Sequence, residues 1–433
     1  MLRPKELYME QEPLVEEKAY SQAANTGKYD KDSRLLGKYD NVRRFWEDQV
    51  TALMLRPALT ELVERKKTQL ERIRVLDLGC GSGDGYDLIM GVTAKDQGIY
   101  ENIISAITPD MLKEYVGLDV NKDLLAYAEE YYGNKPKVRF ICEDLSNGFS
   151  DIVGTEEPFD LYFTSYGTLS HFHDDDNARL LTNICKHASD RAIFVGDWLG
   201  RYSYEWQSLW HHPIDQEYFM DYRISYIYPD DDVEEVDVST FPLRLITKDE
   251  IMGIIDQASN ESGVQINPLA FFDRSIAVGR HMDTGDYNDH APKLRRLVNS
   301  LFEDYSRTDL SGLLVDYVPR HGCAHLNAFF EMYFLSCNAL VEYTMELLSN
   351  YDVERGELLS VPEILPSYPE PLKGAMVTMR KIVEGVGWLT YGDIRANVIE
   401  PQLGYMLRKL EMDLQPGIGV GHSLVGIFEI LKA

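Results

Sequence analysis

The chain has 433 residues, 44% of them hydrophobic, with 71 Asp and Glu against 43 Lys and Arg and a formal net charge of −28. That length exceeds one typical domain, so two units or one elaborated unit are expected, and a surface this acidic, with no basic stripe interleaved with aromatics, speaks against nucleic acid as a partner. The cysteines (Cys80, Cys142, Cys185, Cys323, Cys337) lack the spacing of a disulfide framework, no apolar run has the length of a membrane span, and Met1-Leu-Arg-Pro-Lys-Glu6 lacks the apolar core of a secretory signal, so a cytoplasmic protein with no membrane partner is expected.

Residues 1–34 are polar and read as a loosely ordered lead-in. Residues 35–72 read as helical, with Phe45, Trp46, Val50 and Leu53 at helix-like spacing. Val75, Leu76 and Leu78 then form a short apolar run of the kind buried in a parallel sheet. It breaks into glycines at alternate positions, Gly79, Gly81 and Gly83, ahead of a helix beginning near Asp84. Glycine allows positive φ and close approach of the backbone to a ligand, and a strand–glycine loop–helix unit turns backbone N–H groups toward that ligand. A second strand, Tyr115–Val120, ends at Asp119 and leads into a helix with Asn121 as its N-cap and Leu124, Leu125 and Ala128 on one face. An acid at that strand tip is placed to accept hydrogen bonds from a ribose diol. A third strand, from Val138, ends in Asp144, and a fourth, from Phe159, runs through Tyr166 and Gly167 to His171.

In that order, the Asp77-x-Gly-x-Gly-x-Gly83 loop, the second-strand acid and the third-strand acid resemble the class I S-adenosylmethionine-dependent methyltransferases. The resemblance covers roughly residues 35 to 280. It implies an α/β fold, a doubly wound, Rossmann-like, seven-stranded sheet with an antiparallel last strand, and S-adenosyl-L-methionine as cofactor. On that reading Asp119 holds the ribose, Asp144 and Leu145 meet the adenine edge, and Asp77, Gly79, Cys80, Gly81 and Gly83 line the methionine portion. The N-terminal helix of many small-molecule relatives folds over the cofactor and offers a Tyr or Arg to its carboxylate; Tyr39 and Arg43, with Arg44, stand there in this chain. The glycine spacing differs from the G-x-G-x-x-G of nucleotide-dependent dehydrogenases. Gly83 and Asp119 lie 36 positions apart, whereas the family usually separates the two features by about twenty, so Ala94–Met111 is read as a surface insertion.

The sheet continues at Arg191–Asp197, followed by an aromatic connection with Tyr202, Tyr204, Trp206 and Trp210. Connections at the carboxyl ends of strands build ligand sites in open α/β sheets. Trp206, Trp210, Tyr202 and the neighbouring His211 are therefore candidate substrate contacts, with π faces suited to a cationic amine. Asp230–Glu235 is an acidic, solvated turn. Lys248–Ala258 reads as a helix and Pro268–Phe272 as the sixth strand. Ser275–Gly279 and Ser423–Leu431 compete for the antiparallel last strand, and the longer C-terminal segment is preferred. Residues 281–415 then form a mainly helical insertion, including 292–305 and Phe329–Leu348 and interrupted by the proline-rich 362–371, while residues 416–433 return to the core sheet. The insertion is expected to close the pocket or to form a homodimer interface.

Methyl transfer needs an in-line approach and, for many acceptors, a base. His171 is the first candidate, since Ser165–His171 is similar to a Ser-x-x-His-Leu run of several small-molecule N-methyltransferases; Tyr166 is a second, able to orient the acceptor. His321 and His325 have ligand spacing but no second pair, so no metal is expected. The acceptor is read as a small molecule, neutral or cationic, methylated on N or O. A peptide or protein methyltransferase, or a non-catalytic S-adenosylmethionine-binding sensor, are the alternatives.

Overall fold

The computed structural model describes residues 15–31, 38–94, 104–214, 216–223, 240–279, 287–291, 293–389 and 392–432. The acidic turn 230–235 and residues 95–103 of the insertion lie outside them. The elements in chain order are α1 (Val15–Asn25), a π-helical turn Arg43–Glu47 leading into α2 (Asp48–Gln69), β1 (Ile73–Leu78), α3 (Asp84–Met90), β2 (Leu112–Asp119), α4 (Lys122–Tyr132) and β3 (Val138–Cys142). There follow α5 (Ser150–Thr155), β4 (Leu161–Phe163), α6 (Asp174–His187), β5 (Arg191–Gly200), β6 (Phe219–Arg223), β7 (Thr240–Ile246), α7 (Lys248–Ser262) and β8 (Gln265–Arg274). The last part holds α8 (Arg295–Ser300), α9 (Ala324–Ser349), the small hairpin β9 (Tyr351–Asp352) and β10 (Glu357–Leu358), α10 (Glu370–Gly385), α11 (Glu400–Leu414) and β11 (Ser423–Leu431).

The main sheet has the order β3-β2-β1-β4-β5-β11-β8, with β7 added at the end of β5 and β6 paired to β7. β1 to β5 run parallel to their neighbours. β11 runs antiparallel between β5 and β8, with Gly426 opposite Gly196 on one side and Phe271 on the other. This is the doubly wound arrangement with an antiparallel inserted strand that the sequence predicts, and β6 and β7 are additions to it. Ser275–Gly279 is irregular backbone.

Near-continuous burial along β1, β5 and β11 reflects cover on both faces. On one face Leu76, Val116, Phe194 and Phe428 pack against Leu181 and Ile184 of α6 and Ile251 and Ile254 of α7. On the other, Val75, Val195, Phe272 and Ile427 meet α2 and share one core with Phe330 and Leu340 of α9, Met376 and Met379 of α10, and Leu403 and Leu407 of α11. The helical segment is thus built onto one face of the sheet. Its proline-rich stretch ends at α10, where Pro369 is the N-cap and Pro371 sits in the first turn, positions that need no backbone N–H.

The lead-in contains an ordered helix. Ala19, Ala23 and Ala24 of α1 are buried, packed with Leu124 of α4 and Phe241 and Leu243 of β7. The buried face is made of alanine, so the segment's polar composition masks its helical stripe.

Candidate functional site

The sheet order reverses between β1 and β4, and the crevice outside the carboxyl ends of such strands is where open α/β sheets bind ligands. A cavity of about 310 Å³ opens there, within the size range of small-molecule sites. Its floor is the glycine loop. Gly79, Gly81 and Gly83 all take positive φ (69°, 52° and 83°). A Cβ on Gly79 would lie 2.4 Å from Thr168 Cγ2, so the loops after β1 and β4 meet at this glycine. Gly83 is the N-cap of α3.

Asp119, at the end of β2, accepts from Gly81 N–H (2.8 Å, Oδ2) and from Asn121 N–H (2.8 Å, Oδ1). Burial raises its carboxyl above the ordinary value, and those backbone donors oppose the rise. Asn121 caps α4 as expected, accepting from Asp123 and Leu124 N–H. Asp144 and buried Leu145 line the same cavity; the Asp144 carboxylate also accepts from Ser146 N–H at 2.9 Å. Glu143 lines it beside them.

The segment leading into α2 supplies the cations, Lys38 ahead of the π-helical turn and Arg43 within it. Arg43 is 2% exposed and lies over the Tyr166 ring, 3.4 Å from its centroid. Its Nε bonds Asp48 at 3.1 Å and its Nη2 approaches Asp84 at 3.6 Å, while Nη1 has no hydrogen-bond partner among the described residues. Lys38 pairs with Asp84 at 2.8 Å. Burial works against the Asp84 carboxylate, yet Lys38 and Arg43 outweigh it and hold the group down at about 2. Tyr39 lies beneath, donating to Asp84 and sharing a hydrogen bond with Ser82, and does not line the cavity.

Tyr166 adopts positive φ (57°), uncommon for a residue with a side chain. The strain is held by Asp197, which accepts from Tyr166 N–H at 2.7 Å and Gly167 N–H at 3.1 Å and is itself paired with Arg274 at 2.7 Å. His171 lines the cavity with Nε2 3.4 Å from Tyr20 Oη and its ring stacked on Phe241. Burial pushes its imidazole down to about 4, which makes it a weak proton acceptor.

Several expected contacts fall elsewhere. Asp77 is buried below the loop, bonded by Tyr115 Oη, with its carboxyl pushed up by burial to about 7; it supports the loop from beneath, since a Cβ on Gly85 would sit 2.1 Å from its Oδ2. Gly83 is likewise packed on Tyr132 and Phe140. Trp206 and Trp210 are 0% and 5% exposed. The Trp206 indole donates to Gly200 O and the Trp210 indole to Ser203 O, with Trp210 stacked on Phe330 of α9. Both are core residues: Trp210 shares the core of the helical segment, whereas Trp206 packs with Leu124, Leu199, Met220 and Leu243. Tyr202 is half-buried with its N–H on Gly419 O, and exposed His211 has Nδ1 3.8 Å from Cys323 Sγ; neither lines the cavity.

The walls opposite the loop come from Tyr20 of α1, Tyr222 of β6, Leu243 of β7 and His422. None of the described residues 287–414 lines the cavity, so its cover is α1 with the β6–β7 pair rather than the helical segment. Tyr20, Lys38 and His422 escape sequence reasoning because the segments that carry them are placed only by tertiary packing.

Residues 102–190 match a family model described as a methyltransferase domain. The match spans β2 through α6 and so includes Asp119, Asp144, Tyr166 and His171. The chain is also similar to a solved S-adenosylmethionine-dependent methyltransferase from Clostridium acetobutylicum, at 17% identity over 50% of this chain and 83% of that one, with a TM-score of 0.31. The glycopeptide N-methyltransferase MtfA aligns at 14% identity over 52% and 91%, TM-score 0.30. An amino pentose methyltransferase, CalS10 from Micromonospora echinaspora, aligns at 12% over 50% and 85%, TM-score 0.30. Likeness at this level carries no inference about chemistry. No curated protein matches the chain.

Proposed function

We propose that this chain is a methyltransferase that binds S-adenosylmethionine in the β1–β4 crevice and methylates a small molecule on N or O. One observation carries the reading: a glycine loop with positive φ, an acid at the β2 tip bonded to that loop, and a buried guanidinium with an unpartnered Nη1 all border one cavity. The first is a cradle a side chain would fill, the second suits a ribose diol, and the third suits a carboxylate. The match of residues 102–190 to a methyltransferase domain supports it.

Asp119 would hold the ribose, Asp144 and Leu145 the adenine edge, Gly79, Cys80 and Gly81 the amino-acid portion and Arg43 its carboxylate. The cofactor supplies an activated methyl group on a sulfonium, so the protein's task is alignment and removal of a proton. Tyr166, clamped between Arg43 and Arg274 (3.4 and 4.3 Å from its centroid), is a rigid wall for that alignment. Of the cations bordering the cavity, Lys38 is paired with Asp84 and Arg43 is taken by the cofactor's carboxylate on this reading, whereas Glu143, Asp144 and Asp176 also border it. This balance supports a neutral or cationic acceptor.

The amino-acid end has its own test. Arg43→Met should weaken S-adenosylhomocysteine by about tenfold or more while leaving methylthioadenosine, which lacks the carboxylate, nearly unchanged. Equal losses for both ligands would remove Arg43 from the carboxylate site.

A further inference from the structure

Resting on the methyltransferase reading, we propose that His422 is the base that takes the acceptor's proton and that Glu205 is its positioning residue. His422 immediately precedes β11, whose antiparallel course brings its first residues to the same edge as the carboxyl end of β5, with Ser423 opposite Leu199. The imidazole therefore reaches the cavity wall from a strand that follows β8 in the chain by the whole helical segment.

The residue is fixed from both sides. Its N–H donates to Ser275 O at 3.1 Å and its carbonyl accepts from Gly200 N–H at 3.1 Å. Its Nδ1 lies 2.6 Å from Glu205 Oε2. An ionised carboxylate only accepts, so the shared proton belongs to Nδ1, and Nε2 is the nitrogen left for a ligand. Trp206 and Tyr222 flank the ring at 5.3 and 6.3 Å.

Both members are buried, His422 at 1% and Glu205 at 6% exposure. Burying a carboxylate is costly unless it is paired, and an apolar pair would fill this volume without that cost. The fold even makes room for the carboxylate: Gly279 is at positive φ (56°), and a Cβ there would lie 2.1 Å from Glu205 Oε1. The other charged groups packed nearby are engaged. Arg201 pairs with Glu250 at 2.8 Å, Arg274 with Asp197 at 2.7 Å, and Asp273 accepts from Ile418, Gly419 and Gly421 N–H. Tyr20, His171 and Asp176 also line this cavity. His171 differs from His422 in its neighbour, which is the Tyr20 hydroxyl rather than a carboxylate.

In the step, the acceptor's N–H or O–H proton passes to His422 Nε2. The lone pair released forms the bond to the methyl carbon of the sulfonium donor, and the carbon–sulfur bonding pair returns to sulfur as a neutral thioether. The imidazolium is balanced by Glu205 until the proton leaves to solvent.

The test uses the full chain, uniformly ¹⁵N-labelled and saturated with S-adenosylhomocysteine, as wild type, His422→Asn and Glu205→Gln. Calorimetry of that ligand reports folding of the cofactor site. Long-range ¹H–¹⁵N spectra, assigned by loss of signal in His422→Asn, report tautomer and titration midpoint without any acceptor. Incorporation of tritiated methyl into a small-molecule cell extract reports turnover. The expected result is ligand affinity unchanged within about threefold in both variants, and an Nδ1–H tautomer for His422. Its midpoint should move to lower pH in Glu205→Gln, since the carboxylate removed favours the imidazolium. Incorporation should drop by about 100-fold in His422→Asn, the scale of a lost general base, and the acid limb of its pH profile should move to lower pH in Glu205→Gln. Affinity intact with an unmoved midpoint, or incorporation retained in His422→Asn, overturns the assignment while leaving the methyltransferase reading in place. Loss of ligand binding in both variants makes the pair architectural and overturns it as well. A wild type that does not bind the ligand removes the underlying reading, and this one with it.

Discussion

Asp77 is a motif residue that lies outside the cavity lining. It stands first in the Asp-x-Gly-x-Gly-x-Gly run, yet it lies under the loop with Tyr115 donating to it, and burial lifts its carboxyl from 3.8 to about 7. A folded-state value above the unfolded one gives stability that is full below about pH 4 and lost as pH rises through 7, at about 1.4 kcal/mol per unit of difference. The stability of wild type relative to Asp77→Asn should therefore decline between about pH 4 and pH 7 in urea unfolding. A pH-independent difference would contradict a buried protonated carboxyl. Gly79 makes a sterically sharper case. Its φ is positive, and a Cβ on it would meet Thr168 Cγ2 at 2.4 Å. Gly79→Ala should therefore damage ligand binding, and Gly79→Ala with Thr168→Ser should recover part of it by removing the methyl in the way. Binding by Gly79→Ala equal to wild type would show that the loop relaxes freely.

Among the elements, the parallel strands and the loop were legible because each carries a local signal: an apolar run, a glycine break, and an acid or Asn at the tip. Asn121 is the N-cap the sequence predicts because a cap is a property of three adjacent residues. The connection after β5 misleads for the opposite reason. Its position favours a ligand wall, but Trp210 meets α9, more than a hundred residues later, where Phe330 stacks on it at 5.2 Å, and Trp206 packs with Leu124, Met220 and Leu243. Trp210→Ala should accordingly cost about 3–5 kcal/mol of stability, read by denaturant unfolding, with S-adenosylhomocysteine affinity preserved at temperatures where the variant is folded. A selective loss of binding without loss of stability would return Trp210 to the site. Helix α1 was hidden because its buried face is alanine, and β7 because Pro242 stands inside it.

At the scale of the molecule, a sheet with two covered faces places a cofactor-sized cavity at one edge and a helical segment on one flank. The helical segment shares a continuous core with α2 and the sheet, and its contribution to the cavity is indirect, through the strand β11 that follows it and runs between β5 and β8. On the proposed reading, the crevice between β1 and β4 holds S-adenosylmethionine with Asp119 at its ribose. Calorimetric titration of S-adenosylmethionine and S-adenosylhomocysteine into wild type and Asp119→Asn tests it most directly. Micromolar binding by the wild type, weakened by about tenfold or more in the variant as a charge-assisted hydrogen bond is lost, is the predicted result. No binding by the wild type, or binding of a nicotinamide dinucleotide in its place, would contradict it.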